Sequence, residues 1–192
     1  MLGAAGRMGQ MLVRQIAETD GADLAGACDR AGLAAIGRDA GQLAGLESLG
    51  IAIGTDAAAL LDGCDVAIDF TSPEATAAHA ALAADSGTAL VIGTTGLKPE
   101  HQAAIDRAAE KIAIVQAANF SAGVTLLAAL TEQVARALGP AYDIEILEMH
   151  HRHKVDAPSG TALALGAAAA KGRKIDLGAT RQSRSARPGA RR

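Results

Sequence analysis

The sequence predicts an α/β protein: a Rossmann-type doubly wound parallel sheet followed by a partial α+β substrate domain. Three observations carry this expectation. Short, continuously apolar runs alternate with helix-length segments from the N-terminus to about residue 115, and strands that are apolar throughout belong to a parallel sheet covered on both faces. Gly3, Gly6 and Gly9 form a G-x-x-G-x-x-G turn where a strand should hand over to a helix. Beyond Asn119 the alternation stops and a long helical pattern takes over. The expected boundaries are a dinucleotide-binding domain over 1–120, a partial substrate domain over 121–177, and a basic tail without fixed structure over 178–192.

The elements follow in order. The glycine turn opens a helix over about Arg7 to Glu18, with Met8, Leu12 and Ile16 on its inward face. Leu24 to Cys28 reads as a strand with Asp29 and Arg30 at its carboxyl end, and residues 31–50 are glycine-spaced and ambiguous. Ile51 to Ile53 is a short strand and Asp56 to Leu61 a short helix. Val66 to Phe70 is a strand; Ser72 then suits an N-cap and Pro73 the first helical position, for a helix to about Asp85. Leu90 to Ile92 is a strand, Pro99 to Glu110 a helix, and Ile112 to Val115 a strand. Gly123 to Leu138 is a long helix stopped by Gly139-Pro140. Asp143 to Met149 alternates apolar and acidic residues, as a half-exposed strand would; a polar loop and a helix from Thr161 follow.

Composition narrows the function classes. Hydrophobic residues make up 49% of the chain but aromatics only 2%, so the core is Ala, Leu, Ile and Val, and no aromatic platform for single-stranded nucleic acid exists. Cys28 and Cys64 lack metal-ligand spacing and read as buried reduced thiols of a cytoplasmic protein. No secretory signal or transmembrane run is visible. The net charge of −3 hides an asymmetry: from Gly172 on there are seven Lys or Arg against one Asp. Nucleic-acid binding by that arginine tail is a weak reading, because no recognition helix accompanies it.

The glycine turn suits a pyrophosphate, since glycine lets the backbone come close and the helix N-terminus offers free N–H groups. Its weakness is Ala5, where the common fingerprint has glycine. Asp29, 20 residues after Gly9, stands where an acid accepts from the ribose hydroxyls of NAD, while Arg30 beside it suits the 2′-phosphate of NADP. Both NADPH and NADH are therefore expected. Gly93-Thr94-Thr95-Gly96 and Ala117 to Ser121 also end strands and could line the nicotinamide end. The densest chemistry is His150-His151-Arg152-His153-Lys154 with Asp156 to Thr161: fixed positive charge, titratable donors and a helix start, all suited to an anionic substrate. A zinc site is the rival reading, but no Cys or acid completes a ligand set, so no metal is expected.

Five motifs occur in order: Gly3 to Gly9, Asp69-Phe70-Thr71, Val91 to Gly96, Ala118 to Ser121, and Glu148 to Ala162. Over about residues 2 to 177 the set resembles the 4-hydroxy-tetrahydrodipicolinate reductase (dihydrodipicolinate reductase) family of the diaminopimelate route to lysine. The resemblance implies hydride transfer from NADPH or NADH to a small cyclic dicarboxylate, in a cytoplasmic homotetramer with no membrane or nucleic-acid partner. His150 resembles the proton donor/acceptor, Lys154 a second proton donor, His151 a substrate-binding residue, and Gly160 with Thr161 the carboxylate cradle. Gly3, Ala4, Ala5, Gly6, Arg7, Met8, Asp29, Arg30, Gly93, Thr94, Thr95, Ala117, Ala118, Asn119 and Phe120 resemble the cofactor contacts.

The chain departs from the family pattern at both ends. Only Met1 and Leu2 precede Gly3, where the family carries a whole strand, so a gap in the sheet beside the cofactor crevice is expected. The tail after Leu177 does not resemble the family, which suggests a truncated or frame-shifted reading frame. Two alternatives stand beside the reductase: a cofactor-binding module without turnover, and another two-domain NAD(P)-dependent oxidoreductase acting on an amino or sugar acid.

Overall fold

A computed structural model of the chain describes residues 1–149 and 157–183. These fall into two compact units, Met1–Ala117 and the residues from Ala118 on.

The first unit is built on a parallel sheet. Its strands are β1 (Ala27–Cys28), β2 (Ile53–Gly54), β3 (Val66–Asp69), β4 (Ala89–Ile92) and β5 (Ile114–Gln116). β1 pairs with β2, and β3–β4–β5 form a second run, all parallel. Leu2 joins the two runs. It bridges to Cys28 on one side and Asp69 on the other, its N–H donating to the Ile68 carbonyl at 2.9 Å while Cys28 N–H donates to the Met1 carbonyl at 2.9 Å. The order across the sheet is therefore β2–β1–Leu2–β3–β4–β5. At the carboxyl edge the expected gap is absent: Met1 is 6% exposed and Leu2 0%. The expected strand over Leu24 to Cys28 is shortened to its last two residues. A strand exists only where its backbone finds neighbours, and β1 finds them at Met1–Leu2 and Ile53–Gly54.

The side-chain period of two divides the core. Leu2, Cys28, Ala67, Leu90 and Ile92 point to the face packed by α3 (Ala57–Leu61), α4 (Pro73–Ser86) and α5 (Pro99–Ala109). Met1, Ala27 and Ile53 point the other way, against Val13 of α1 (Arg7–Ala17) and Ala40 of α2 (Ala40–Leu43). Sequence and structure agree on why α4 begins where it does: Ser72 Oγ accepts from Ala75 N–H and Pro73 holds the first helical position. The ambiguous 31–50 stretch is organised by Asp39, which caps α2 through Gln42 N–H and also accepts from Leu49 N–H, Ile51 N–H and Ser48 Oγ. One inward-face assignment is corrected. Val13 is the buried apolar side chain of α1, whereas Met8 is 44% exposed; the neighbouring Gly9 is the residue that sits against the Gly3–Ala4 turn.

The second unit pairs α6 (Ala122–Leu138), capped by Ser121, with α7 (Gly160–Arg173), capped by Ser159. Gly172 sets their close approach: a Cβ there would stand 2.4 Å from the Glu132 carbonyl and 3.0 Å from Ala135 Cβ. Glu132 pairs with Lys171 at 3.0 Å. The expected strand over Asp143 to Met149 does not form; these residues run without regular structure, with Leu147 and Met149 almost fully exposed. Alternating side chains cannot make a strand without a partner, and the described residues of this unit supply only helices. Leu177–Thr180 forms a short helix, α8, capped by the Asp176 carboxylate, so the first residues of the supposed unstructured tail are helical.

Candidate functional site

The glycine turn lies at the carboxyl edge of the sheet, between β1 and β3. Gly3 has φ +77°, and a Cβ on it would meet Thr71 Cγ2 at 2.9 Å and the Phe70 carbonyl at 3.0 Å. Only glycine satisfies both conditions. Gly3 and Ala4 N–H both donate to the Cys28 carbonyl, at 2.9 and 3.1 Å, which pins the turn to β1. Gly9 lets α1 close on the turn, since a Cβ there would overlap the Gly3 carbonyl at 2.1 Å. No side chain caps the start of α1 at Gly6, so its first N–H groups and the positive end of its dipole are available to an anion. Ala5, the departure from the common fingerprint, has a use: its N–H donates to Asp29 Oδ2 at 2.8 Å. Arg30 N–H donates to the other oxygen, Oδ1, at 2.8 Å. Asp29 is thereby fixed between the turn and β1, with acceptor capacity left over for ribose hydroxyls.

A cavity of about 500 Å³ opens over this edge, within the range of small-molecule sites. Gly3, Ala5, Gly6, Asp29 and Arg30, expected from the sequence, line it. Ala4 is buried beneath the turn, and neither it nor Arg7, Met8, Gly93, Thr94 or Thr95 lines the cavity. The walls that sequence reasoning missed are Leu33, Thr55 and Ala57 on one side and Ser72, Ala75 and His79 on the other. A signal for the second wall was present: Ser72, Ala75 and His79 recur at spacings of three and four from the carboxyl end of a predicted strand, so they share one helix face.

Beneath that wall lies a buried polar network. Asp69, 0% exposed, accepts from Thr71 N–H at 2.9 Å, Thr71 Oγ1 at 2.6 Å and Thr76 Oγ1 at 3.1 Å. Thr94 is held here, its Oγ1 2.8 Å from Thr76 Oγ1 and accepting from Thr71 N–H at 3.1 Å. Thr94 is thus a support of the edge, and Gly93 makes room for Phe70, whose ring would lie 2.1 Å from an added Cβ. His79 Nδ1 meets Asp69 Oδ2 at 2.7 Å. Burial is the largest single influence on the Asp69 carboxyl and pushes its pKa up. Hydrogen bonds from His79 and Thr71, the His79 charge and the Thr76 bond together outweigh it and hold the pKa below the ordinary carboxylate value. Cys28 is shifted the other way: burial, then the Asp29 carboxylate, pushes its thiol up, which leaves it a poor nucleophile at neutral pH. Cys64 is half-buried rather than buried.

In the second unit, Ser159 begins α7 with its Oγ accepting from Ala162 N–H at 3.1 Å. Its own N–H donates to Glu148 Oε1 at 2.9 Å, and its hydroxyl bonds Glu148 Oε2. Glu148 and Ser159 therefore tie together the two sides of the polar segment between them. Gly160 and Thr161 supply the first N–H groups of α7, and among the described residues nothing lies within 4 Å of the space a Gly160 side chain would fill. His150, His151, Arg152, His153 and Lys154 lie outside the described residues. Asn119 accepts from Ser121 N–H through Oδ1 at 3.0 Å, and Phe120 is 51% exposed. Among the described residues no group of three or more His, Cys, Asp or Glu could hold a metal, and no helix is long and apolar enough to cross a membrane.

A parallel sheet with a glycine turn at its central edge, an uncapped helix start and an acid closing the next strand defines a Rossmann-type dinucleotide-binding protein. The particular family follows from comparison with known proteins. Residues 1–120 match the family model for dihydrodipicolinate reductase, N-terminus, and residues 123–190 that for dihydrodipicolinate reductase, C-terminus; the chain belongs to this family. It is 59% identical over 175 residues to the 4-hydroxy-tetrahydrodipicolinate reductase of Methylocella silvestris, covering 91% of this chain and 64% of that one. The Halorhodospira halophila reductase is 54% identical over 177 residues (92% and 66%), and that of a Bradyrhizobium strain 52% over 191 residues (99% and 70%). The chain thus spans about two thirds of the length of these relatives. Among solved structures it resembles a dipicolinate-bound dihydrodipicolinate reductase from Paenisporosarcina sp. TG-14, with TM-score 0.64 and 29% identity, over 90% of this chain and 64% of that one. The tail expectation is corrected here as well: the family match runs through residue 190, not to Leu177.

Proposed function

We propose that the chain performs NAD(P)H-dependent reduction of 4-hydroxy-tetrahydrodipicolinate to tetrahydrodipicolinate, in the diaminopimelate route to lysine. The observation that carries this reading is the cavity at the sheet edge, where Gly3, the uncapped start of α1 and the doubly anchored Asp29 converge in a chain of this family. The residues fit a nicotinamide dinucleotide: the turn leaves no room for a Cβ at Gly3, and Asp29 keeps acceptor capacity toward the cavity. When bound, the cofactor supplies the hydride. The chain's own tasks are to bind, orient and protonate. Gly3, Ala4, Ala5, Gly6, Arg7 and Met8 form the pyrophosphate turn, Asp29 and Arg30 take the ribose or its 2′-phosphate, and Gly93 to Thr95 with Ala117 to Phe120 serve the nicotinamide half. Gly160 and Thr161 offer N–H groups to a substrate carboxylate at the start of α7, and His151 is a further substrate-binding residue. His150 serves as proton donor/acceptor and Lys154 as a second proton donor; a group titrating near neutral pH is suited to that work. The dipicolinate in the similar solved structure is a small cyclic dicarboxylate, the substrate class proposed here. A cytoplasmic setting and a homotetrameric assembly belong to the same proposal, through the family.

The 143–149 segment, which forms no strand, favours a second reading, a cofactor-binding module without turnover. One assay separates the two: the loss of NADPH or NADH absorbance with freshly generated 4-hydroxy-tetrahydrodipicolinate. The reductase reading expects turnover in wild type and a rate at least roughly a hundredfold lower in His150→Gln. Cofactor binding without any turnover would overturn it in favour of the second reading.

A further inference from the structure

The loop between β4 and α5 carries Gly93 to Thr95, which the reading above assigns to the nicotinamide half of the cofactor. It is fastened at three points. At its start Thr94 is 7% exposed and joined to Thr71 and Thr76. Further on, Leu97 packs against the core cluster that contains Ile105 of α5. At its end Lys98 N–H donates to His101 Nδ1 at 3.2 Å. Between these fastenings Thr95 and Gly96 stand exposed.

The chemistry of the third fastening is specific to this chain's residues. Lys98 is the N-cap of α5, but an ammonium has no lone pair to offer the first helical N–H groups, and its side chain makes no cap hydrogen bond. Compensation runs the other way: the residue three further on reaches back to the N-cap N–H, as Glu or Gln does in a capping box. Here that residue is a histidine, 8% exposed. A ring nitrogen that accepts from a backbone N–H carries no proton, so the contact itself fixes the ring as neutral, with its hydrogen on Nε2. A second proton would go to Nδ1 and set donor against donor.

The groups around the ring are few. Glu74 of α4 lies within range of both His101 and Lys98. Its carboxyl is held below the ordinary value, chiefly by a hydrogen bond from its own backbone N–H, so it is ionised wherever an imidazole titrates. An ionised Glu74 attracts a charged ring, and the Lys98 ammonium repels one. β4 and β5 turn Leu90, Ile92, Ile114 and the neutral Gln116 toward α5. On α5 itself Glu100 adjoins His101 in sequence, and Asp106, further along, is held by Gln102 Nε2 at 2.9 Å.

Resting on the cofactor reading above, we propose that His101 is a positioning residue and an acid-sensitive latch for the dinucleotide loop: the neutral ring pins Lys98 and with it the Gly93–Leu97 segment, and protonation releases the pin and weakens dinucleotide binding. It acts through Lys98 and the loop, not on the reacting atoms.

The test reads amide protection at Lys98 by NMR, corrected for the intrinsic effect of pH, at about pH 8 and about pH 5, across the imidazole range. It compares wild type with His101→Gln, whose side-chain amide accepts but does not titrate. Wild type should lose protection at Lys98 roughly five- to tenfold at the lower pH, while His101→Gln keeps it at both. NADH titration of the same two chains should give equal affinity near pH 8, and binding roughly threefold or more tighter in His101→Gln near pH 5. His79 and the other histidines are present in both chains, so the difference belongs to position 101. Wild-type protection that survives at the lower pH would overturn the latch, and this arm stands alone if His101→Gln does not fold. The same loss in His101→Gln would overturn it too. Amide behaviour as expected, with NADH affinities that coincide at both pH values, would overturn the positioning role. Wild type that binds no NADH at either pH would instead remove the cofactor reading, with the Lys98 amide still reporting on the latch.

Discussion

Gly9→Ala is expected to destabilise the first unit although it places a better helix former in a helix. At an ordinary interior helical site the exchange gains up to about 1 kcal/mol. Here the new Cβ would lie 2.1 Å from the Gly3 carbonyl and 2.8 Å from Ala4 C and Cα. All three contacts are backbone, which cannot swing aside as a flexible side chain would. Overpacking of this kind costs about 1–3 kcal/mol, and this overlap belongs at the upper end, so a net loss of about 2 kcal/mol is expected. The Gly3 carbonyl also accepts from Gly6 N–H at 3.1 Å, so relieving the overlap distorts the turn itself and should weaken NADH binding at least roughly tenfold. Gly123→Ala is the control: among the described residues that Cβ meets only Ser121 Oγ, at 3.8 Å, and a neutral or slightly stabilising effect is expected. Urea unfolding with unchanged slope gives the stability term; NADH titration gives the second. A Gly9→Ala chain as stable as wild type with unaltered NADH affinity would refute the close-approach argument.

Three further outcomes follow from the same structure. Asp39 has its pKa lowered to about 2, first by the Gln42 N–H bond and also by Leu49, Ser48 and Ile51. A depressed acid stabilises the fold above its unfolded pKa of about 3.9 and ceases to as pH falls through the folded value, so Asp39→Ala should bring acid unfolding to higher pH and speed amide exchange across 39–51; unchanged exchange there would contradict the assignment. Arg30→Ala should weaken NADPH about tenfold while leaving NADH nearly unaffected, and parallel losses for both cofactors would show that Arg30 does not meet the 2′-phosphate. Glu148→Gln removes one acceptor from Ser159, so turnover should fall roughly tenfold and exchange rise at the start of α7, with NADH affinity, which depends on the first unit, unchanged; a matching loss of NADH affinity would place the effect elsewhere.

The dinucleotide half was legible because its signals are local. Ser72-Pro73 marks a helix start, a run such as Val66 to Asp69 marks a buried strand, and Gly3 with Gly9 marks a turn that tolerates no side chain; each needs only neighbours in sequence. What the sequence misjudged depends on distant partners. Leu24 to Gly26 and Asp143 to Met149 have strand-like patterns, but a ladder requires a second backbone, which the pattern does not report. Ala5 read as a defect of the motif, whereas its N–H anchors Asp29, a bond made by backbone that any residue but proline could supply. His79 passed unnoticed for a related reason. Its meaning comes from Asp69, ten residues away and across a strand-to-helix junction, and a lone histidine in an alanine-rich helix carries no signature by itself.

The central claim is that the edge of the sheet between the glycine turn, Asp29 and α4 holds a nicotinamide dinucleotide. Amide exchange with and without saturating NADH tests it most directly, alongside a thermal melt. At about 100 times its dissociation constant, NADH should stabilise the first unit by roughly 2.7 kcal/mol and slow exchange at Gly3 to Gly9, at Asp29-Arg30 and along the first turns of α4. A melt indifferent to NADH and NADPH, with no protection at those amides, would contradict the account.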